Sequence, residues 1–471
     1  MIIQFKSTSG KINTGAMTGI PLKIFFSGIG GSGVSAIANF MADKGCIIVG
    51  SDRSFDHNPR HPLYACLKRK GIRIVPQDGK GIDSSFDFAV FSTAVEPDQQ
   101  EFVKAKALGI PIKTRPEYLA EIVKQYKTVA VAGTSGKSTT SGMLAFLMDR
   151  LGLHPNFIGG GRVRQFKTVS NPGNSLSGVS DILVIEACES DGSIVQYKPW
   201  QSIILNLALD HFTVEQTAKL FKDLVNNTVN AIYVNADDEN LKGIAGNTAV
   251  TFSIDRPSDF RPDILSHRPF GTEFSLRGIT FKLSLPGKHN LYNALACVAV
   301  LTEMNIPLAD IAEVIGEFKG IERRFDVHFN NGSVLVIDDY AHNPHKITAL
   351  LQTMKTIKDR LHYIFQPHGF GPTRLMKDEY IEAFRRNLRD SDRLILLPIF
   401  YAGGTAKRDI SSEELAEQIR EGGKSVEVVE GRETILEHLD RKGSYVVFGA
   451  RDETLADLAE DIARQLSKLD E

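Results

Sequence analysis

Apolar and polar positions alternate along this chain with two periods. Apolar-rich runs such as "KIFFS", "FAVFS", "TVAVA", "DILVIEA" and "SIILNLA" read as strands. Between them lie stretches with helical spacing, among them Val214 to Val225 and "HNLYNALACVAVLTEM". The pattern falls into three blocks, 20–123, 124–326 and 327–471. In the first, strands "IRIV" and "FAVFS" follow an opening strand, glycine turn, helix and strand. The second closes with a β-rich stretch, "GTEFSLRGITFKLSLPG". In the third, strands "SVLVIDD", "HYIFQ", "RLILLPIF" and "YVVFGA" alternate with helices expected at Asn343 to Thr356, Glu379 to Leu388, Ser412 to Glu421 and Leu455 to Leu466. Alternation of this kind implies parallel sheets with crossover helices. Ligands are then expected at the carboxyl ends of the strands.

Composition narrows the class. The 471 residues are 42% hydrophobic and 24% charged with a net charge of -2, ordinary for a globular protein and without the basic excess of a nucleic-acid binder. Four cysteines lie scattered with no CxxC pair, which argues against zinc or a disulfide framework and fits a reducing, cytoplasmic setting. No apolar run approaches the ~20 residues of a membrane span, and the first twenty residues read as an extension ahead of the first strand and not as a signal peptide.

The chemistry is concentrated in "VAVAGTSGKSTTSGML". An apolar strand enters Gly133, Thr134 and Ser135 separate it from Gly136, and Lys137, Ser138, Thr139 and Thr140 open a helix. Unpaired backbone N–H groups in such a turn, at the positive end of a helix dipole, make an anion site. Lys137 would add a charge at the terminal phosphates of a nucleotide, and the Ser138 hydroxyl would ligate magnesium. Downstream, Glu186 ends one strand with Glu189 and Asp191 just beyond, and Asp210 and His211 end another. The acids are the hard oxygen ligands that magnesium requires, and His211 adds a nitrogen to the same metal wall. In the first block, Gly28, Gly30, Gly31, Ser32 and Gly33 form a G-x-G-G-x-G loop followed by Asp52, which alone reads as a dinucleotide fingerprint.

Taken in order, "GIGGSGVSAIA", "AGTSGKSTT", "IEACESDGS", "LALDHF", "LPGKHNLYNALA", "GIERRFDV", "IDDYAHNP" and "FQPHGFGPTR" resemble the Mur ligases, ATP-dependent amide-forming enzymes of peptidoglycan precursor synthesis, over nearly the whole chain. The resemblance is to the branch acting on UDP-N-acetylmuramate, with its alanine-adding and murein-peptide members. It implies three α/β domains: a Rossmann-like domain for the UDP-sugar, a central P-loop ATPase-type domain, and a Rossmann-like C-terminal domain for the amine substrate. It implies ATP and Mg2+ as cofactors, with Gly133 to Thr139, His289, Asn290, Asn293, Arg324 and Asp339 around ATP. Ser138, Glu186 or Glu189, and His211 would hold metal. Gly28, Gly30, Gly31, Ser32, Gly33 and Asp52 would take the UDP-sugar, and Gly159 to Gly161 would help to position it. Lys137, His211, His342 and His368 would stand at the reacting centre, and His368 and Arg374 at the amine. Some relatives carry a carbamylated lysine after the metal histidine, for which Lys219 and Lys222 are the only nearby candidates. The resemblance further implies no nucleic-acid or membrane partner, and a monomer or weak homodimer.

The family reaction forms an acyl phosphate on the lactyl carboxylate, which the amine then displaces. Three departures bear on the amine. Ser135 stands where alanine-adding enzymes have histidine. Gly369 and Pro372 replace two arginines of Q-P-H-R-Y-x-R-T-R, and neither can clamp a carboxylate. "DYAHNP" is closer to other amide ligases. These point to a peptide or another amino acid as the amine. An NAD-dependent oxidoreductase, a nucleotide-binding protein without catalysis, and a folate-polyglutamate or cyanophycin-type ligase are the competing readings.

Overall fold

The computed structural model describes residues 21–468 apart from 59–60, 210–211, 247, 402–406 and 451. The N-terminal extension, Asp210 and His211 therefore lie outside the described residues. The chain divides into two compact units, one ending at Gly320 and the other beginning at Ile321.

The first unit holds three sheets. Strands β1 (Lys23–Ser27), β2 (Ile47–Ser51), β3 (Arg73–Val75), β4 (Phe88–Phe91) and β5 (Ile112–Thr114) are all parallel in the order 3-2-1-4-5. The second sheet comprises β6 (Lys127–Ala132), β7 (Asn156–Ile158), β8 (Ser175–Leu176), β9 (Ile182–Glu186), β10 (Gln201–Ile204), β11 (Ala231–Asn235) and β12 (Val250–Phe252), ordered 12-11-10-6-9-7-8. Its strands are parallel except β8, which runs against β7. The β-rich stretch forms an antiparallel meander, β13 (Asp263–Arg268), β14 (Gly271–Leu276) and β15 (Ile279–Leu283). Burial follows from these layouts. β4 and β10 are buried at every position, as expected of strands covered on both faces, whereas β15 alternates core and solvent along "TFKL". The apolar core is continuous across the first two sheets, joining Ile24, Phe26 and Ile37 to Ala130, Ile185 and Tyr197.

The second unit is a six-stranded sheet, β16 (Asp326–Asn330), β17 (Leu335–Asp339), β18 (Leu361–Gln366), β19 (Arg393–Leu396), β20 (Val426–Val428) and β21 (Ser444–Gly449), ordered 16-17-21-18-19-20. The expectation of an all-parallel sheet is corrected at β16, which pairs antiparallel with β17. Only the turn around Asn331 and Gly332 (φ +87°) joins them, too short for a crossover, so the chain must double back. Helices Pro344–Lys355, Lys377–Asn387, Ser412–Glu421 and Leu455–Ser467 cover the sheet. Among the described residues no helix is long and apolar enough to cross a membrane.

Candidate functional site

β6 lies at the centre of the second sheet between β9 and β10, so the loop leaving it has both neighbours' carboxyl ends beside it. Gly133 has φ +143°, and a Cβ there would fall 2.9 Å from Leu205 Cβ. Gly136 (φ +87°) starts the helix Lys137–Arg150. The loop is clamped by Asn206: its Oδ1 accepts from Ser135 N (2.8 Å) and its Nδ2 donates to Ser135 O (2.9 Å). Thr134 is tied in the same way to Ala208, whose N–H donates to Thr134 Oγ1 (2.9 Å). Asn206 was not singled out from the sequence, where "LNLA" reads only as a strand end.

Two acids divide the work at this loop. Ser138 Oγ donates to both Glu186 carboxylate oxygens at 3.0 Å, and Gly160 N donates to Glu186 Oε2 at 2.9 Å. A Cβ on Gly160 would come within 2.8 Å of that oxygen, which accounts for a glycine in "FIGGG". Glu189 instead pairs with Lys137, at 2.9 Å from its Nζ, and Lys137 also donates to Gly133 O at 2.6 Å. Burial opposes the Lys137 charge, but Glu189 and then its neighbours outweigh this and hold the ammonium above the usual lysine range.

Ser138 Oγ and the Glu186 carboxylate are hard oxygen donors that fit Mg2+, an ion that keeps several waters and takes phosphate oxygens. Among the described residues no three His, Cys, Asp or Glu side chains gather around one point. The fit therefore rests on the serine and one carboxylate, with Glu189 engaged by the lysine. Lys219 and Lys222 are both exposed on the helix Val214–Asn227.

The helix Lys288–Glu303 lies against Lys137–Arg150, with Cys297 Sγ 3.5 Å from Thr140 O. Asn293, buried, packs on the phosphate loop so closely that a Cβ on Gly136 would be 2.5 Å from its Oδ1. Its Nδ2 donates to Asn290 Oδ1 (3.2 Å), and Asn290 Nδ2 donates to Pro286 O (2.7 Å). His289, a turn from Asn293, is exposed.

In the first sheet the glycine loop follows β1. Gly28 N and Ile29 N donate to Ser51 O, and Gly30 N donates to Asp52 Oδ2 at 2.7 Å. Asp52 also caps the short helix Arg53–His57 through Ser54 N. Asn174 of the second sheet's domain donates to Ser32 O (2.9 Å) and Ser35 Oγ (3.0 Å), and Gly159 N donates to Asn174 O. The Gly159–Gly161 loop thus sits between the residue holding Ser32 and the Glu186 carboxylate.

In the second unit β17 delivers Asp339, whose Oδ1 accepts from Ala341 N and whose Oδ2 accepts from Phe325 N, each at 2.7 Å. Burial raises its carboxyl above the usual range, with Arg324 opposing. Of the two adjacent arginines, Arg323 is buried and committed: it donates to Asp338 (3.1 Å), Asp452 O (2.9 Å) and Gly449 O (2.9 Å). Arg324 has its guanidinium carbon 5.3 Å from the Tyr340 ring centroid. His342 and His368 are brought together edge to face, ring centroids 4.8 Å apart. His342 Nδ1 lies 2.9 Å from Tyr340 O, which places its proton there and leaves Nε2 as the acceptor. Burial lowers its pKa to about 3. Gly369 (φ +78°) leads into the helix Phe370–Leu375. Arg374 pairs with Asp409 and donates to Lys407 O (3.1 Å), so that guanidinium is engaged within its own unit.

Comparison with known proteins agrees with this layout. Residues 23–127 match the Mur ligase family catalytic domain, 131–301 the Mur ligase middle domain and 323–451 the Mur ligase glutamate ligase domain. The chain is 33% identical over 462 residues to a UDP-N-acetylmuramate--L-alanine ligase of Sulfurihydrogenibium sp., covering 95% of this chain and 98% of that one. The chain belongs to the Mur ligase family. A similarly named protein of Geobacter sulfurreducens is 34% identical, covering 88% of this ligase and 91% of the relative. The solved UDP-N-acetylmuramate-alanine ligase of Thermotoga maritima superposes with a TM-score of 0.80 at 26% identity, covering 95% of this chain and 100% of its own. A murein peptide ligase from Psychrobacter arcticus shares the fold, with a TM-score of 0.68 at 22% identity over 95% of this chain and 98% of its own. The Mur ligases are ATP-dependent, ADP-forming ligases, and this chain is one of them.

Proposed function

We propose that this ligase joins the lactyl carboxylate of UDP-N-acetylmuramate to the amino group of L-alanine or a related amino acid or peptide, through an acyl phosphate, with Mg2+ as the metal. The observation that carries the reading is the phosphate loop with its two separated acids, Glu186 on Ser138 and Glu189 on Lys137, beside a second glycine loop for the sugar nucleotide. Transfer of the γ-phosphate needs little covalent help from protein; it needs position and neutralised charge, which Lys137 supplies. Ser138 and Glu186 would hold Mg2+, which would supply charge stabilisation at the phosphates. His342 is kept neutral by burial, with its proton on Nδ1 and its Nε2 left as a hydrogen-bond acceptor.

The curated relatives named above point to L-alanine. One feature favours a peptide amine: Gly369 and Pro372 offer no cation, and Arg374 is held by Asp409, so a carboxylate clamp of three arginines is missing. The test is phosphate release from Mg-ATP and UDP-N-acetylmuramate with L-alanine, glycine, L-serine or L-alanyl-γ-D-glutamyl-diaminopimelate. Release that needs the sugar nucleotide and one amine supports the reading and names the amine. Release with no combination refutes it.

A further inference from the structure

The glycine loop of the first sheet and the lysine of the phosphate loop are joined by a line of contacts that runs through a residue with no role so far. Arg115 opens the helix Arg115–Val123, and its side chain lies over Gly33. A Cβ at Gly33 would fall 3.2 Å from Arg115 Cδ and 3.8 Å from its Nε and Nη1. Its Nη2 donates to Asp191 Oδ2 at 2.7 Å, and both side chains of the pair are only 19% exposed. Asp191 Oδ1 in turn accepts from Ser193 N at 3.0 Å. Asp191 belongs to a tight turn closed by Gly192 N donating to Glu189 O at 2.8 Å, with Gly192 at φ +69°. Glu189, at the other end of that turn, holds Lys137.

We infer that Arg115 is a positioning residue for the ligase reaction: through Asp191 it fixes the turn that sets Glu189, and so Lys137, relative to the glycine loop that takes the sugar nucleotide. The inference rests on the proposed function for the identity of that substrate. A four-fifths-buried ion pair between two loops has a defined geometry, unlike a solvated surface pair, and a four-residue turn has little slack. Loss of either partner shifts the carboxylate that aims the lysine. A misplacement on the order of 1 Å at a reacting centre costs up to about 100-fold in rate.

The test is steady-state ADP release with Mg-ATP, UDP-N-acetylmuramate and the accepted amine for Arg115→Met, Asp191→Asn, their double variant and Arg115→Lys. The expected result is a fall in kcat of roughly 10- to 100-fold in either single variant. KM for the sugar nucleotide should stay within about 3-fold, the double variant should be no worse than the singles, and Arg115→Lys should recover part of the rate. A rise in KM with kcat intact for Arg115→Met would mean that Arg115 binds the substrate itself and would overturn the inference, as would a silent Asp191→Asn. Arg115→Lys, which keeps the charge, reports even where Arg115→Met does not fold: a wild-type rate there overturns the need for the guanidinium geometry. If wild-type ADP release proves independent of UDP-N-acetylmuramate, the substrate reading fails separately. The positioning role is then read from Mg-ATP affinity by calorimetry, which Asp191→Asn must weaken several-fold; unchanged affinity overturns it.

Discussion

Gly136→Ala isolates one contact at the centre of the site. At φ +87° any L side chain is strained, by about 1 to 2 kcal/mol. The new methyl would also lie 2.5 Å from Asn293 Oδ1 and 3.2 Å from Leu205 Cδ1. Asn293 is 3% exposed, so it can escape only by turning and giving up its bond to Asn290 Oδ1. An unsatisfied buried amide costs about a further 1 to 3 kcal/mol. The total is about 2 to 5 kcal/mol. Gly152, which follows the same helix, is the internal control: its φ is +76° and a Cβ there meets nothing within 4 Å. Gly152→Ala should therefore cost the strain alone, about 1 to 2 kcal/mol. Denaturant unfolding of the two variants, each with and without Asn293→Ala, measures the difference. Truncating Asn293 should bring Gly136→Ala down to the level of Gly152→Ala. Equal losses in the two glycine variants, or a Gly136→Ala loss unaffected by Asn293→Ala, would refute the reasoning.

Three further outcomes follow from the same geometry. Glu186→Gln should lower ADP release roughly 100-fold or more and raise the Mg2+ needed for half-maximal rate, whereas Glu189→Gln, which frees Lys137, should lower kcat at least about 10-fold with the Mg2+ requirement unchanged; a magnesium titration of both variants checks this. Arg323→Met strips a fully buried Asp338 of its cation and should cost about 3 to 5 kcal/mol. Burial already raises Asp338 to about 6, so protonation relieves the loss, and unfolding should show a larger deficit at pH 8 than at pH 5. His342, with its folded pKa lowered to about 3, contributes stability that is present above its unfolded value of about 6.5 and is lost as pH falls from there toward 3. The full swing is roughly 3 to 5 kcal/mol, and His342→Asn should flatten stability against pH in that window.

The sequence by itself determined the ordered motifs and most of the elements that present them. Local signals were enough where one short stretch carries the whole reason. Apolar "VAVA" followed by a glycine turn and Lys137 specifies strand, anion loop and helix start, and Ser411, Thr213 and Thr114 cap their helices through side chains with a glutamate or glutamine three residues on. The short edge strands β5, β12 and β20 carry too few residues for a period to show, and polar "DVHFN" hid β16, whose pairing depends on a neighbour. The roles of paired residues were likewise invisible. Nothing in "IEACESD" says that Glu186 meets Ser138 while Glu189 meets Lys137, because the choice depends on how β9 registers against β6. Nor does "GIERRFDV" say that Arg323 is spent on Asp338 and two carbonyls, whose positions come from β17, from the last residue of β21 and from the chain just after it. Asn206, Asn174 and Arg115 became visible only in the fold, since each acts on a partner 71 or more residues away. Sequence carries local conformation and chemical type; which charge meets which partner is decided by sheet order and register, and those are properties of the whole packed chain.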